Sequence, residues 1–139
     1  MAAIALLCLM LTATGCGVHP DPEISEGERV AALLESGQWK VQSVKIDNMD
    51  ETSSFTGLAL QFNGSAFQAT NGNIVWPASG TWTFTSDAAN GFTRNDGVTV
   101  SIDQVTESNL GLTFTWSTST FEPGRISSVA GEHKFTFTK

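Results

Sequence analysis

The chain has 139 residues and is 40% apolar, which gives it room for one domain with one core. Its seven Lys and Arg residues stand singly among fourteen Asp and Glu, and the net charge of -7 excludes a partner held by its phosphate backbone, so no nucleic acid is expected. With no Tyr in the chain, nine Phe and four Trp supply the whole aromatic surface.

At the N-terminus, Ala2 to Leu11 form an apolar run. It is about as long as the apolar region of a secretory signal and too short for the roughly 20 residues of a membrane span. The residues after it, Ala13-Thr14-Gly15-Cys16, resemble the bacterial lipobox, in which small residues precede a Cys that is acylated and becomes the mature N-terminus. The resemblance implies a signal peptide over residues 1–15 and lipid, palmitate among it, on Cys16. The implied address is the bacterial cell envelope, with the outer membrane the expected membrane. Ala13 stands where that family usually has Leu, and Met1-Ala2-Ala3 lacks a basic residue. An ordinary cleaved signal followed by a fortuitous Cys is the alternative. Cys8 would leave with the signal and Cys16 would carry lipid, so neither a disulfide nor a free thiol is expected in the mature chain.

Residues 16–24 read as a polar tether interrupted by Pro20 and Pro22. His19 lies in it with no second His or Cys nearby to share a metal. Ser25-Glu26-Gly27-Glu28 has the S-x-x-E form of a capping box and predicts a helix of about ten residues. Val30, Leu33 and Leu34 form its apolar stripe, and Ser36-Gly37 stops it. So short a helix cannot stand alone, and its stripe must cover something, most simply one end of a sheet structure.

Eight strand-like segments follow. In the first, Gly37 to Ile46, Trp39 and Val41 alternate on one face while Val44 and Ile46 fall on the other. A bulge near Gln42-Ser43 would restore all four to one face and bend the strand. Then come Phe55 to Phe62, Ala66 to Thr70, Gly80 to Thr85, Phe92 to Arg94, Val98 to Ile102, Leu110 to Trp116 and His133 to Lys139. Hairpin turns are expected at Asn63-Gly64, Asn71-Gly72-Asn73 and Asn95-Asp96-Gly97. Most connections are short, so sequence neighbours should be spatial neighbours. Closing the meander removes its two open edges. The expected fold is therefore all-β, an eight-stranded up-and-down antiparallel barrel over residues 25–139 preceded by one short helix. An immunoglobulin-like sandwich is the alternative, and only the Ser117 to Gly131 connection is long enough for its crossing.

A short helix running into Gly37-x-Trp39 on the first barrel strand resembles the first signature of the lipocalins. The Thr-rich strand Gly80 to Thr85 is similar to those of lipocalin-like domains in bacterial lipoproteins. The resemblance implies that Trp39 plugs one end of the barrel and that a basic residue from the far end of the chain stacks across it, with Arg125 and Lys134 as the candidates. The Thr-Asp-Tyr signature of that family is missing.

The residues offer little sign of catalysis. His133 beside Glu132 could do acid-base work, but no nucleophile motif accompanies the pair, and a surface pair at a strand start is the plainer reading. Asp87 and Asp96-Gly97 lack the spacing of a calcium loop, so no metal or other cofactor is expected. Arg94 either reaches an anionic ligand at the barrel mouth or pairs with Asp96 or Asp103. A non-enzymatic, membrane-anchored module is expected, with a small apolar or amphipathic ligand lined by Phe62, Trp82, Phe84, Val100, Leu112, Phe114 and Trp116. Those side chains are also bulky enough to fill the barrel. In that case an interaction lipoprotein, binding another envelope component through its loops or outer surface, is the alternative.

Overall fold

The computed structural model describes residues 24–117 and 130–139. The expected signal peptide, Cys16 and the tether up to residue 23 lie outside them, as does Arg125.

Helix α1 (Glu26–Glu35) begins at the expected capping box. The Ser25 Oγ accepts from the Glu28 amide at 3.2 Å, and the Ser25 amide donates to the Glu28 carboxylate at 2.8 Å. Val30 and Leu34 are buried by the helix docking on the sheet, whereas Leu33, at the edge of the stripe, is only half-buried. No helix among the described residues is long and apolar enough to cross a membrane.

The strands are β1 (Trp39–Ile46), β2 (Met49–Asp50), β3 (Ala59–Asn63), β4 (Ala66–Thr70), β5 (Ser79–Phe84), β6 (Gly91–Arg94), β7 (Thr99–Val105), β8 (Asn109–Trp116) and β9 (Gly131–Thr138). From β3 to β9 each strand pairs antiparallel with the next, and β9 returns to β1. The two-residue β2 pairs only with the end of β1, at Lys45 and Ile46, and stays outside the ring. What remains is a closed eight-stranded up-and-down barrel preceded by one helix, and the sandwich alternative falls.

The bulge in β1 forms where the hydrophobic pattern slips. Val41 faces Phe137 and Ser43 faces Thr136, so Gln42 is the extra residue. Trp39, Val41, Val44 and Ile46 all turn inward as a result, the first and third fully buried.

Two connections differ from expectation. Phe55 does not begin a strand: Thr52–Phe55 form a 3-10 turn, and β3 starts only at Ala59. The Thr52 Oγ1 accepts from the Val44 amide at 3.0 Å, the Asp50 carboxylate accepts from the Thr52 amide at 3.0 Å, and Gly57 has φ +79. These local bonds outcompete extension. The turn drops Phe55 into the gap that opens because β1 and β3 pair only at Trp39–Leu60 and Lys40–Ala59. The second difference lies at Asn71-Gly72-Asn73, which is not a tight hairpin. Asn71 and Asn73 do adopt left-handed φ of 55°, but the chain continues as a loop over 71–78 that carries Val75 and Trp76 into the barrel. The other two hairpins form, with Gly64 at φ +59 between β3 and β4 and Gly97 at φ +87 between β6 and β7.

Candidate functional site at the far end of the barrel

The helix covers one end of the barrel. There the Trp39 Nε1 donates to the Leu34 carbonyl at 2.9 Å, and the ring is wholly buried. A basic residue does stack across it, but it is Lys139, with its Nζ 4.7 Å from the ring centroid. The reason is strand parity. Phe135 and Phe137 of β9 point inward, so residue 139 continues on the inner face while Lys134 points out and lies 3.8 Å from Glu132.

Above Trp39 the expected lining residues meet one another. Phe62 packs edge-on against Trp82 at 5.8 Å and Phe92 at 5.9 Å, and Trp82 packs edge-on against Phe84 at 4.8 Å. The Trp82 Nε1 is satisfied, donating to the Ala66 carbonyl at 3.3 Å. Val100 and Leu112 are fully buried in the same core. These five of the seven candidates thus take up the space they enclose.

Phe114 and Trp116 belong to a second group, at the end away from the helix. Phe114 is its hub: Trp76 lies edge-on at 5.5 Å, His133 is stacked at 5.5 Å, and the Arg94 Cζ sits 5.4 Å from the ring. The guanidinium is also 4.9 Å from the Trp76 ring and 6.0 Å from that of Trp116. One buried guanidinium thus has three aromatic faces around it.

Arg94 makes the expected ion pair with Asp96, through Nε at 3.1 Å and through Nη2, and its Nη1 donates to the Val75 carbonyl at 2.8 Å. Asp103 bonds Thr113 instead. Asp96 is partly buried, which works to raise its pKa, but the bonds from Arg94 and the Val98 amide outweigh this and hold it below the usual carboxylate range. Arg94 is therefore no surface strand end. It shares the inner face of β6 with Phe92, and its side chain is fully enclosed.

His133 is likewise not half of a surface pair. Neighbouring strand residues face opposite sides, so Glu132 points out and His133 points in, where it is 0% exposed. Burial pushes the pKa of His133 down, against smaller upward effects of the Gly131 carbonyl and Asp47. Its Nδ1 lies 2.9 Å from that carbonyl oxygen, which can only accept, so Nδ1 carries the proton and Nε2 is a bare acceptor in the neutral ring.

Among the described residues the His133 Nε2 has no hydrogen-bond partner, and neither have the Trp76 Nε1 and the Trp116 Nε1; all three atoms are buried. A buried polar group without a partner costs about 1 to 3 kcal/mol, and such groups in a folded protein call for an explanation. The period-two pattern that His133 shares with Phe135 and Phe137 is the signal for its inward position, against the surface pair expected from the sequence. Trp76 has no such signal, because it is carried by an aperiodic loop.

Among the described residues no three His, Cys, Asp or Glu side chains come together as a metal set. Depressions on the outer surface include one of about 570 Å³ beside α1, lined by Ile24, Leu33, Glu107 and Lys139 among others. No protein-family model matches the chain, and no curated protein matches it.

Proposed function

We propose that the chain is a non-enzymatic lipoprotein of the bacterial envelope, held to a membrane, the outer membrane by expectation, through lipid on Cys16, and that it takes a small amphipathic ligand at the far end of a lipocalin-like barrel. The observation that carries this reading is the group of unpartnered ring nitrogens on Trp76, Trp116 and His133 beside the enclosed Arg94. An interior meant only to be filled gains nothing from orphaned donors and acceptors, because apolar side chains of similar shape would pack there without the desolvation cost. The helix half is packed by Phe62, Trp82, Phe84 and Phe92, which supports looking for the ligand at the far end. Trp116 is half-buried there and suits the rim of a site.

The second reading is the interaction lipoprotein with a packed barrel. It is favoured by the way Trp76 folds into the far end and packs edge-on against Phe67, Phe114 and Phe135. Titration of the purified protein with an amphiphile, followed by Trp fluorescence, separates the two. Saturable binding is expected, and Trp116→Ala should weaken it by about 1 to 2 kcal/mol, the contribution of part of one aromatic face. Absence of saturable binding would leave the packed-barrel reading.

A further inference from the structure

His133 is the one imidazole of the barrel, since the other His of the chain, His19, precedes the helix. Its ring is enclosed in an aromatic stack, parallel to Phe114 at 5.5 Å and nearly so to Phe135 at 5.9 Å, with Phe55 perpendicular at 6.4 Å. Nδ1 is committed to the Gly131 carbonyl, and a proton added at Nε2 would find no acceptor among the described residues. The imidazolium would thus be a buried charge with one N–H unbonded, and water relieves both costs. The charged groups around the ring do little to hold it. The Asp47 carboxylate draws a proton toward it but is already taken by the Glu132 amide at 2.9 Å. Glu132 and Lys134 pair on the outer face of β9, and Lys45 of β1 lies opposite Lys134 on that face. On the outside of β8, Thr113 bonds Asp103 of β7. Before the 3-10 turn, Asp50 accepts from Thr52 and Glu51 from Ser54. Across the Phe114 ring, Arg94 is matched by Asp96.

The seam that closes over His133 is held by few bonds. On one side β1 is laddered to β9, but on the other it loses β3 after Lys40 and has only the 3-10 turn and the two residues of β2. Its last ladder pair, Ile46 with His133, is followed by a clasp. The Asp47 amide donates to the Glu132 carbonyl at 2.9 Å, and the Glu132 amide donates back to the Asp47 carboxylate. Asp47 and Asn48 then turn the chain with φ of 49° and 66°. This tip of the β1–β2 hairpin can part from β9 while β9 stays paired with β8 as far as Trp116 and Gly131.

Independently of any ligand, we propose that the far end of the β1–β9 seam is a proton-operated latch: it is closed over neutral His133, and protonation of that ring releases the Asp47–Glu132 clasp while the helix end stays folded. Burial holds His133 below the ordinary imidazole value of about 6.5, so the closed state is fully favoured above that pH and loses stability as pH falls toward the folded value. Within that window each pH unit raises the open population about tenfold.

Amide hydrogen exchange of the purified protein, read residue by residue, tests the latch. Between about pH 7.5 and about pH 5.5 the protection factors of the Asp47 and Glu132 amides are expected to fall about tenfold. Those of Val41 and Trp82, whose amides donate to the Leu58 and Ser65 carbonyls away from the clasp, should stay the same. His133→Phe keeps an aromatic ring in the stack and cannot titrate, so its protection at 47 and 132 should be equal at the two pH values. If that variant does not fold, His133→Asn, which retains a donor for the Gly131 carbonyl, is read in the same way. Three results overturn the proposal: constant protection at 47 and 132 in the unaltered protein, the same fall in the variant, or an equal fall at Val41 and Trp82, which would mean that the whole barrel loosens.

Discussion

Trp39 joins three parts of the molecule through one side chain. Its Nε1 ties the barrel to the last turn of α1 at the Leu34 carbonyl, its ring closes the helix end, and Lys139 from the end of the chain covers its face. Trp39→Ala should therefore cost about 3 to 5 kcal/mol, the range for truncating a large buried aromatic. Most of that is lost packing, since a cation-π contact contributes only about 0.5 to 1 kcal/mol at a partly exposed site. Chemical denaturation measures it, and a loss under about 1 kcal/mol would mean that Trp39 does not anchor the helix end. Arg94 and His133 show the opposite kind of residue. Each looks like a surface group by type, and strand parity turns each into the interior, where its partners rather than its identity fix its state.

At the scale of elements, the loop over 71–78 places a second Trp, beside Trp116 of β8, at the end opposite Trp39. Its geometry depends on Gly72: a Cβ there would fall on the Cβ and carbonyl of Trp76, whose amide donates to the Gly72 carbonyl at 3.1 Å. Gly72→Ala is expected to destabilise the protein by about 1 to 3 kcal/mol, the usual cost of overpacking, because backbone cannot yield as a flexible side-chain tip can. Denaturation again measures the loss. The variant should also expose Trp76 and shift the fluorescence emission to longer wavelength, and an unchanged spectrum with unchanged stability would show the loop free to move aside. The contrast with the turn at Asn95-Asp96-Gly97 is instructive. There one residue, Arg94, bonds back to Val98 and the hairpin closes at once.

For the whole molecule, the pairing of β9 with β1 leaves the barrel without a free edge along the ring and brings the two sequence ends of the domain side by side, Lys40 facing Thr138. In the chain, the helix and its capping Ser25 follow directly on the proposed tether. Cys16→Ser should abolish lipid attachment and release the protein from membranes, while the melting temperature of the domain stays the same because its core begins beyond the tether. Fractionation with metabolic lipid labelling checks the first outcome, and normal membrane retention of the variant would end the lipoprotein reading.

How much of this was legible in the chain differs by level. The sequence by itself determined the capped helix, the bulge at Gln42, the eight ring strands and their order, because hydrophobic period, capping chemistry and Gly-bearing turns are all local properties of a few residues. It also placed Trp39 and the inward rings of Phe62, Trp82, Phe114 and Phe135, since alternation on a strand fixes facing without reference to the rest of the fold. Only the tertiary structure decided where β1 and β3 part, that Phe55 fills the gap, that the loop over 71–78 folds inward, and that Lys139 and not Lys134 meets Trp39. The far-end group was beyond the sequence for the same reason. Trp76, Arg94, Phe114, Trp116 and His133 come from four separate stretches of chain, and whether a nitrogen among them finds a partner depends on three-dimensional packing, which no local pattern encodes.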